Sequence, residues 1–496
     1  MSTEIAADPS LGRLADAIVI PPFPGRQAPA WVLAALRDGL GGVTVFGPNI
    51  ADLAQLGSLI ERLRASADEP VIAIDEEGGD VTRVAHRTGS RYPGNAALGA
   101  VDDPELTRAV YAALGRGLAA LGVNLNLAPS VDVNTASDNP VIGTRSFGSD
   151  TGLVARHAAA AVAGLQSAGV AACAKHFPGH GSTRTDTHHA IATVDAPIDL
   201  LFQRDLPPFI AAIEAGVRAV MPGHLRVPEL TGDRPATLSH PALTGLLRGE
   251  LGFTGVIVSD ALEMRAVSGP YGLPEAAVLA VAAGTDLLCF GRDQDRPTYR
   301  AVRDALVAAV AARRLPGARL EEAAARVAEL RAWAAAARQA PGPAASGSAD
   351  VGLIAARRAL RVDGTPRPMI NPVLIEFVPP SNIAVGKVPW GLGPWVSADA
   401  VQRISAVADP TNRASVVDGL LAKSAGRPLI IVVRDAHRSP YVQDIVRGLL
   451  DARPDAAVVE MGLPVWRPPA DVYLATFGAA RTSSQAAAEI LGLASG

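Results

Sequence analysis

Val170-Ala171-Ala172-Cys173-Ala174-Lys175-His176-Phe177-Pro178-Gly179-His180-Gly181 is an apolar run that stops at a cation and an imidazole before a Pro-Gly turn. A short run with no polar interruption suits a parallel strand covered on both faces, where neither side meets water. Lys175 and His176 stand just before Pro178, so their backbone is expected to be extended and to continue the strand. A strand that ends in charged side chains is a common way to build a site at one end of a sheet.

The same arrangement recurs on both sides of it. Apolar runs at 17–20, 42–46, 71–74, 123–127, 171–174, 219–221, 255–258 and 286–290 alternate with amphipathic stretches such as 104–121, 152–168, 206–215 and 274–283. These are eight β-then-α units, which spell a (β/α)8 TIM-type barrel in preference to an open doubly wound sheet. The polar residues fall at matching places. Asp75 ends the third run, Asp132 follows the fourth, Lys175 and His176 end the fifth, His224 follows the sixth, and Asp260 ends the seventh. Helical sequence continues over 320–338 and gives way to a small-residue, Pro/Gly-rich stretch at 340–348 that reads as a linker. Runs at 371–378, 428–433, 456–461 and 471–477, with helices at 441–452 and 483–491, describe a smaller α/β sandwich domain. The expected division is a barrel over 1–338, a linker over 339–350 and the second domain over 351–496.

Composition narrows the function classes. The 496 residues are 49% hydrophobic and 19% charged, with a net charge of −4. That is a globular chain with no basic block for nucleic acid. No run reaches the roughly 18 apolar residues of a membrane helix. The first residues lack the charged and apolar regions of an export signal, so a cytoplasmic protein is expected. Cys173 and Cys289 are the only cysteines, and both lie in apolar runs, which suits buried thiols.

Asp260 closes Gly255-Val256-Ile257-Val258-Ser259-Asp260. A carboxylate there suits a rigidly held nucleophile. It equally suits the N-cap of a helix over Ala261-Leu262-Glu263-Met264, and its position alone does not choose. Beyond the quoted stretch, Asp186-Thr187-His188 sets a carboxylate two residues before an imidazole, next to Gly179, Gly181, Ser182 and Thr183. Together these motifs resemble glycoside hydrolase family 3, in particular its bacterial two-domain β-N-acetylglucosaminidases. The resemblance spans nearly the whole chain and is specific in the barrel, while the second domain matches only in outline.

The resemblance implies a retaining glycosidase with Asp260 as nucleophile and His188, oriented by Asp186, as acid/base. An imidazole titrates near the working pH, and a neighbouring carboxylate fixes its tautomer. It implies that Lys175, His176, Asp75, Arg83 and Arg145 bind the sugar, through directional charge-assisted hydrogen bonds. The sequence departs from the family pattern at Glu76 and Asp80, both of which add negative charge and put the aglycone preference in question. The implied substrates are terminal β-linked N-acetylglucosamine on muropeptides or chitin-derived oligosaccharides. No cofactor and no metal are implied. The expected partner is the small carbohydrate alone, with no nucleic acid or membrane, and a monomer is expected. Rival readings are transfer to phosphate, a β-glucosidase of the same family, a sugar-binding protein without turnover, and a metal-dependent barrel hydrolase using the cluster of His176, His180, His188, His189 and Asp186.

Overall fold

The structure is a computed structural model that describes residues 9–185, 191–339, 350–380, 384–407 and 412–493. The chain packs into two units. The first comprises the chain up to Glu76, Thr107–Val133, and Asp150 onward through the helix Gly317–Gln339. The second takes Glu77–Leu106, Asn134–Ser149 and the chain after the Pro/Gly-rich stretch. The expected linker core, 340–349, lies outside the described residues.

In the first unit all eight expected strands are present: β1 (Val19–Ile20), β2 (Gly42–Val45), β3 (Val71–Ile74), β4 (Leu125–Asn126), β5 (Ala171–Phe177), β6 (Ala219–Pro222), β7 (Val256–Ile257) and β8 (Leu288–Cys289). β2 through β7 form one parallel sheet in chain order. The order carries on through the Val258–Leu287 bridge to β8, and β8 pairs in parallel with β1. The Thr44 N–H donates to Pro21 O and its hydroxyl to Ile20 O, which joins β1 back to β2. Every backbone edge thus finds a neighbour, which is what closing a barrel achieves. β2 and β3 approach closely because Gly42 has no side chain: a Cβ there would lie 2.0 Å from Val71 O. The fifth strand runs longer than its apolar part, through Lys175 and His176 to Phe177. The Lys175–His176 and Phe177–Pro178 peptide bonds are cis.

The covering helices follow from their apolar stripes. Pro104–Leu121 buries Thr107, Val110, Tyr111, Leu114 and Leu118, one face at helical spacing. Thr151–Ser167 starts where Asp150 accepts the Leu153 N–H as an N-cap. Asp286, fully buried before β8, accepts from Arg248, from Arg319 at 2.5 Å, from Arg326 at 3.2 Å and from the Ile257 N–H at 2.9 Å. A buried carboxylate is tolerable only with such partners.

The second unit holds a six-stranded sheet: β9 (Arg361–Asp363), β10 (Val373–Val378), β11 (Val401–Ser405), β12 (Leu429–Val433), β13 (Ala457–Glu460) and β14 (Val472–Ala475), in the order β9-β14-β13-β12-β10-β11. Only β9 runs antiparallel. Alternate residues feed two cores. Ile375, Phe377, Leu429, Ile431 and Val433 pack with Ile445 and Leu449 of the helix Pro440–Ala452. Leu374, Ile430, Val432 and Leu474 pack with Ala487 and Ala488 of the helix Arg481–Ile490. This is the α/β sandwich read from the sequence, with β9 and β11 added at the edges. Asp80 is buried in this unit, where it takes the Arg434 guanidinium at 3.0 Å, the Thr144 hydroxyl at 2.5 Å and the Ala479 N–H at 2.8 Å. Its negative charge is therefore spent on folding this unit and not offered as an extra pocket charge. Among the described residues no helix is long and apolar enough to cross a membrane.

Candidate active site

The barrel sets side chains at the C-terminal ends of successive strands, where parallel strands present their free carbonyl ends and loops diverge. Asp75 follows β3, Lys175 and His176 finish β5, and Asp260 follows β7. Lys175 Nζ lies 3.0 Å from Asp75 Oδ1, with the lysine side chain 3% exposed and the aspartate 20%. A buried ammonium needs an anion, and Asp75 supplies it while keeping an edge toward solvent. Asp260 is half-buried, and its Oδ1 accepts the Ala261 N–H at 2.7 Å. No helix begins at Ala261; the next one is Arg265–Tyr271, with Met264 at its N-cap position. The capping reading of Asp260 therefore fails, and the carboxylate belongs to the strand end.

The two carboxylates and the lysine act on a common neighbour. Burial pushes the Cys173 thiol up to about 12; Lys175 opposes the rise while Asp75 and Asp260 add to it. The buried Cys289 thiol is raised in the same way, with Asp75, Glu263 and Asp260 all contributing. Burial thus favours the neutral thiol over the thiolate at both cysteines.

Asp132 organises the next layer. It is fully buried, and its Oδ2 lies 2.8 Å from His176 Nδ1 while accepting the Ser130 hydroxyl at 2.9 Å. Its Oδ1 accepts the backbone N–H groups of His180, at 2.7 Å, and His176, at 3.2 Å. Burial works to raise this carboxyl, but His176 and His180 outweigh it, so it stays below the usual carboxylate range. One side chain thereby fixes the ring of His176 and the backbone of the loop that follows. Sequence reading placed Asp132 in the ring of polar residues without giving it this role. Its signal was an acid two residues after Ser130, before a backbone turn.

His224 is buried, with Nδ1 2.8 Å from the Thr237 hydroxyl and Nε2 3.0 Å from Ala261 O. It braces the backbone beside Asp260. The loop after β5 is seated on Asp205: Gly179 has φ +131°, and a Cβ there would lie 2.7 Å from Asp205 Cβ. Arg204 holds Asp205 at 2.8 Å and reaches the Ser182 hydroxyl at 3.2 Å. His180 lies edge-on to His176, 5.9 Å between ring centres, and its Nδ1 meets the Thr183 hydroxyl at 2.5 Å. His180 therefore braces the loop.

The remaining expected site residues fall elsewhere. Asp186 and His188 lie outside the described residues, as does His189. Arg83 and Arg145 belong to the second unit. Arg145 grips Glu77 with two parallel bonds, Nε to Oε2 at 2.9 Å and Nη2 to Oε1 at 2.7 Å, and its Nη1 donates to Val141 O at 3.2 Å. Arg83 Nη2 donates to Ala384 O at 2.9 Å. The Glu77 fork is a partner that sequence reading missed. Among the described residues no group of three His, Cys, Asp or Glu side chains is arranged to hold a metal ion.

The family profile "Glycosyl hydrolase family 3 N terminal domain" matches residues 26–330. Beta-hexosaminidase A of Pseudoalteromonas piscicida is 37% identical over 273 residues, 51% of this chain but only 46% of that relative. Less than half of that protein's length is thus matched. Beta-hexosaminidase LpqI of Mycobacterium tuberculosis is 37% identical over 281 residues, 55% of this chain and 71% of the relative. Among solved structures, a glycoside hydrolase family 3 beta-N-acetylglucosaminidase from a Paenibacillus species superposes with a TM-score of 0.85 at 33% identity, covering 97% of this chain and 96% of that one.

Proposed function

The chain belongs to glycosyl hydrolase family 3, and on that premise we propose that it is a retaining exo-β-N-acetylglucosaminidase acting on muropeptides or chitin-derived oligosaccharides. The observation that carries the reading is the half-buried Asp260 at the end of β7, in a barrel mouth it shares with the Lys175–Asp75 pair. The names of the two hexosaminidase relatives and of the Paenibacillus structure support the N-acetylglucosaminide as substrate.

In the proposed reaction Asp75 and Lys175 take neighbouring sugar hydroxyls, one accepting and one donating. His176 offers Nε2 to the sugar while Nδ1 stays with Asp132. Asp260 attacks the anomeric carbon as the glycosidic bond breaks, and His188 gives its proton to the departing oxygen. His188 then takes a proton from water, which attacks the same carbon and releases Asp260. Two inversions leave the β-configuration intact. Asp186 keeps the imidazole of His188 in the required tautomer.

Proton NMR of the sugar formed in the first turnovers tests this. The β-anomer appears first if the mechanism is retaining, whereas initial formation of the α-anomer would overturn it. Repeating the reaction in phosphate separates hydrolysis, with free N-acetylglucosamine as product, from transfer to phosphate, which would yield the sugar 1-phosphate.

A further inference from the structure

The chain that leaves β6 at Pro222 runs between three parts of the candidate site. On one side the Gly223 N–H donates to Phe177 O at 2.9 Å, directly after His176. On a second side Leu225 and Arg226 pair in parallel with Ala192 and Thr193, where the chain returns from the segment that contains Asp186 and His188. On the third is His224, which is fully buried and reaches the strand end that carries Asp260.

Ala261 O lies 3.0 Å from His224 Nε2, and a carbonyl only accepts, so Nε2 carries the hydrogen. The Thr237 hydroxyl, 2.8 Å from Nδ1, fixes the plane of the ring. Ala261 is thereby gripped at both ends of its backbone, its O by His224 and its N–H by Asp260 Oδ1 at 2.7 Å. The residues that follow are tied the other way. The Leu262 N–H donates to Cys289 O at 3.3 Å, and Glu263 Oε2 accepts the Gly291 N–H at 2.8 Å. The turn after Asp260 is therefore strung between the ends of β6 and β8, with His224 as the cross-link from β6. Removing that cross-link strands neither of its partners. Ala261 O also accepts the Met264 N–H at 3.1 Å, and the Thr237 hydroxyl also donates to Gly223 O at 3.0 Å. Loss of the imidazole thus costs position more than it costs folding.

We propose that His224 is a positioning residue for the nucleophile: it locks the Ala261 backbone, and through it the Asp260 carboxylate, in the orientation from which Asp260 attacks. The role rests on the function proposed above. A nucleophile works from a narrow range of positions, and a displacement of about 1 Å costs roughly a hundredfold in rate. Asp75 and Lys175 hold each other without His224, so sugar binding is spared when His224 is changed.

The test compares wild type with His224→Gln, His224→Asn and His224→Leu on p-nitrophenyl β-N-acetylglucosaminide, with circular dichroism to confirm the fold. A glutamine amide reaches as far as Nε2 and keeps a donor for Ala261 O. An asparagine amide reaches only as far as Nδ1 and meets Thr237, and leucine does neither. The expected kcat/KM is roughly a hundredfold down for the Asn and Leu proteins and within about tenfold of wild type for Gln. The inhibition constant of N-acetylglucosamine, which reports binding alone, should stay within about threefold of wild type in all three. A packing defect would not rank the two amides in that order. An Asn protein as active as the Gln protein, or inhibition that weakens in step with kcat/KM, would overturn the proposal. If leucine prevents folding, the two amide variants still decide. No turnover by wild type would sink the function proposed above and this role with it, an outcome distinct from an active wild type whose variants are unaffected.

Discussion

Asp132→Asn is the single change expected to disturb the site most without touching Asp260. It leaves His176 Nδ1 and two loop N–H groups facing an amide that cannot accept from all of them. Breaking a buried hydrogen-bonded charge pair costs about 3–5 kcal/mol, so the urea midpoint should fall accordingly at neutral pH. The pH dependence has a definite sign. Because the folded carboxyl sits below its ordinary value, it contributes stability above the unfolded pKa near 3.9 and loses it as pH falls through the lower folded value. Wild type should therefore lose stability more steeply than the Asn variant on acidification below about pH 4; parallel curves for the two proteins would contradict this. At this scale the positions of Asp75, Lys175, His176 and Asp260 at the ends of apolar strands were legible in the runs they follow, whereas position alone did not choose between a nucleophile and a helix cap for Asp260. It was not legible in Glu77 or Arg204, whose partners are set by packing and not by spacing.

The strands were readable because near-continuous apolar runs have little alternative to a covered sheet. The edge elements were not. Arg361–Asp363 is largely exposed and charged, and Val401–Ser405 alternates weakly, so neither shows the apolar signature of its neighbours. The ends of elements were also displaced by side chains that no periodicity announces. Asp286 is one: it ties the helix of Arg248 and the helix of Arg319 and Arg326 to the backbone of β7. Asp286→Asn should cost about 3–5 kcal/mol by leaving three arginines around an uncharged amide. A thermal or urea midpoint close to wild type would show that these arginines find other acceptors. The loop after β5 offers a second test. Gly179→Ala places a methyl group against Asp205 at a backbone conformation that other residues rarely adopt. It should lower turnover through the loop while leaving most of the barrel's stability in place, which activity and circular dichroism measured together would reveal.

At the scale of the molecule, the linear order of the chain conceals how its units are built. Glu77–Leu106 and Asn134–Ser149 interrupt the barrel sequence yet pack with the C-terminal part of the chain. Nothing in their composition marks the crossing, since the decisive contacts, Asp80 with Arg434 and with the Ala479 N–H, join residues far apart in sequence. A fragment starting at residue 350 would lack those segments and leave Arg434 without Asp80. It is expected not to unfold cooperatively on its own, and a sharp urea transition for the fragment would contradict that assembly. The family, by contrast, was legible from the motifs around Lys175 and Asp260 and agrees with the match over residues 26–330. The account as a whole rests on Asp260 as the attacking group of an N-acetylglucosaminidase. The most direct measurement is release of p-nitrophenol from its β-N-acetylglucosaminide by wild type and by Asp260→Ala, with circular dichroism confirming that the variant is folded. The account predicts turnover by wild type and a loss of roughly a thousandfold or more in the variant. No turnover by wild type, or an undiminished rate in the variant, would contradict it.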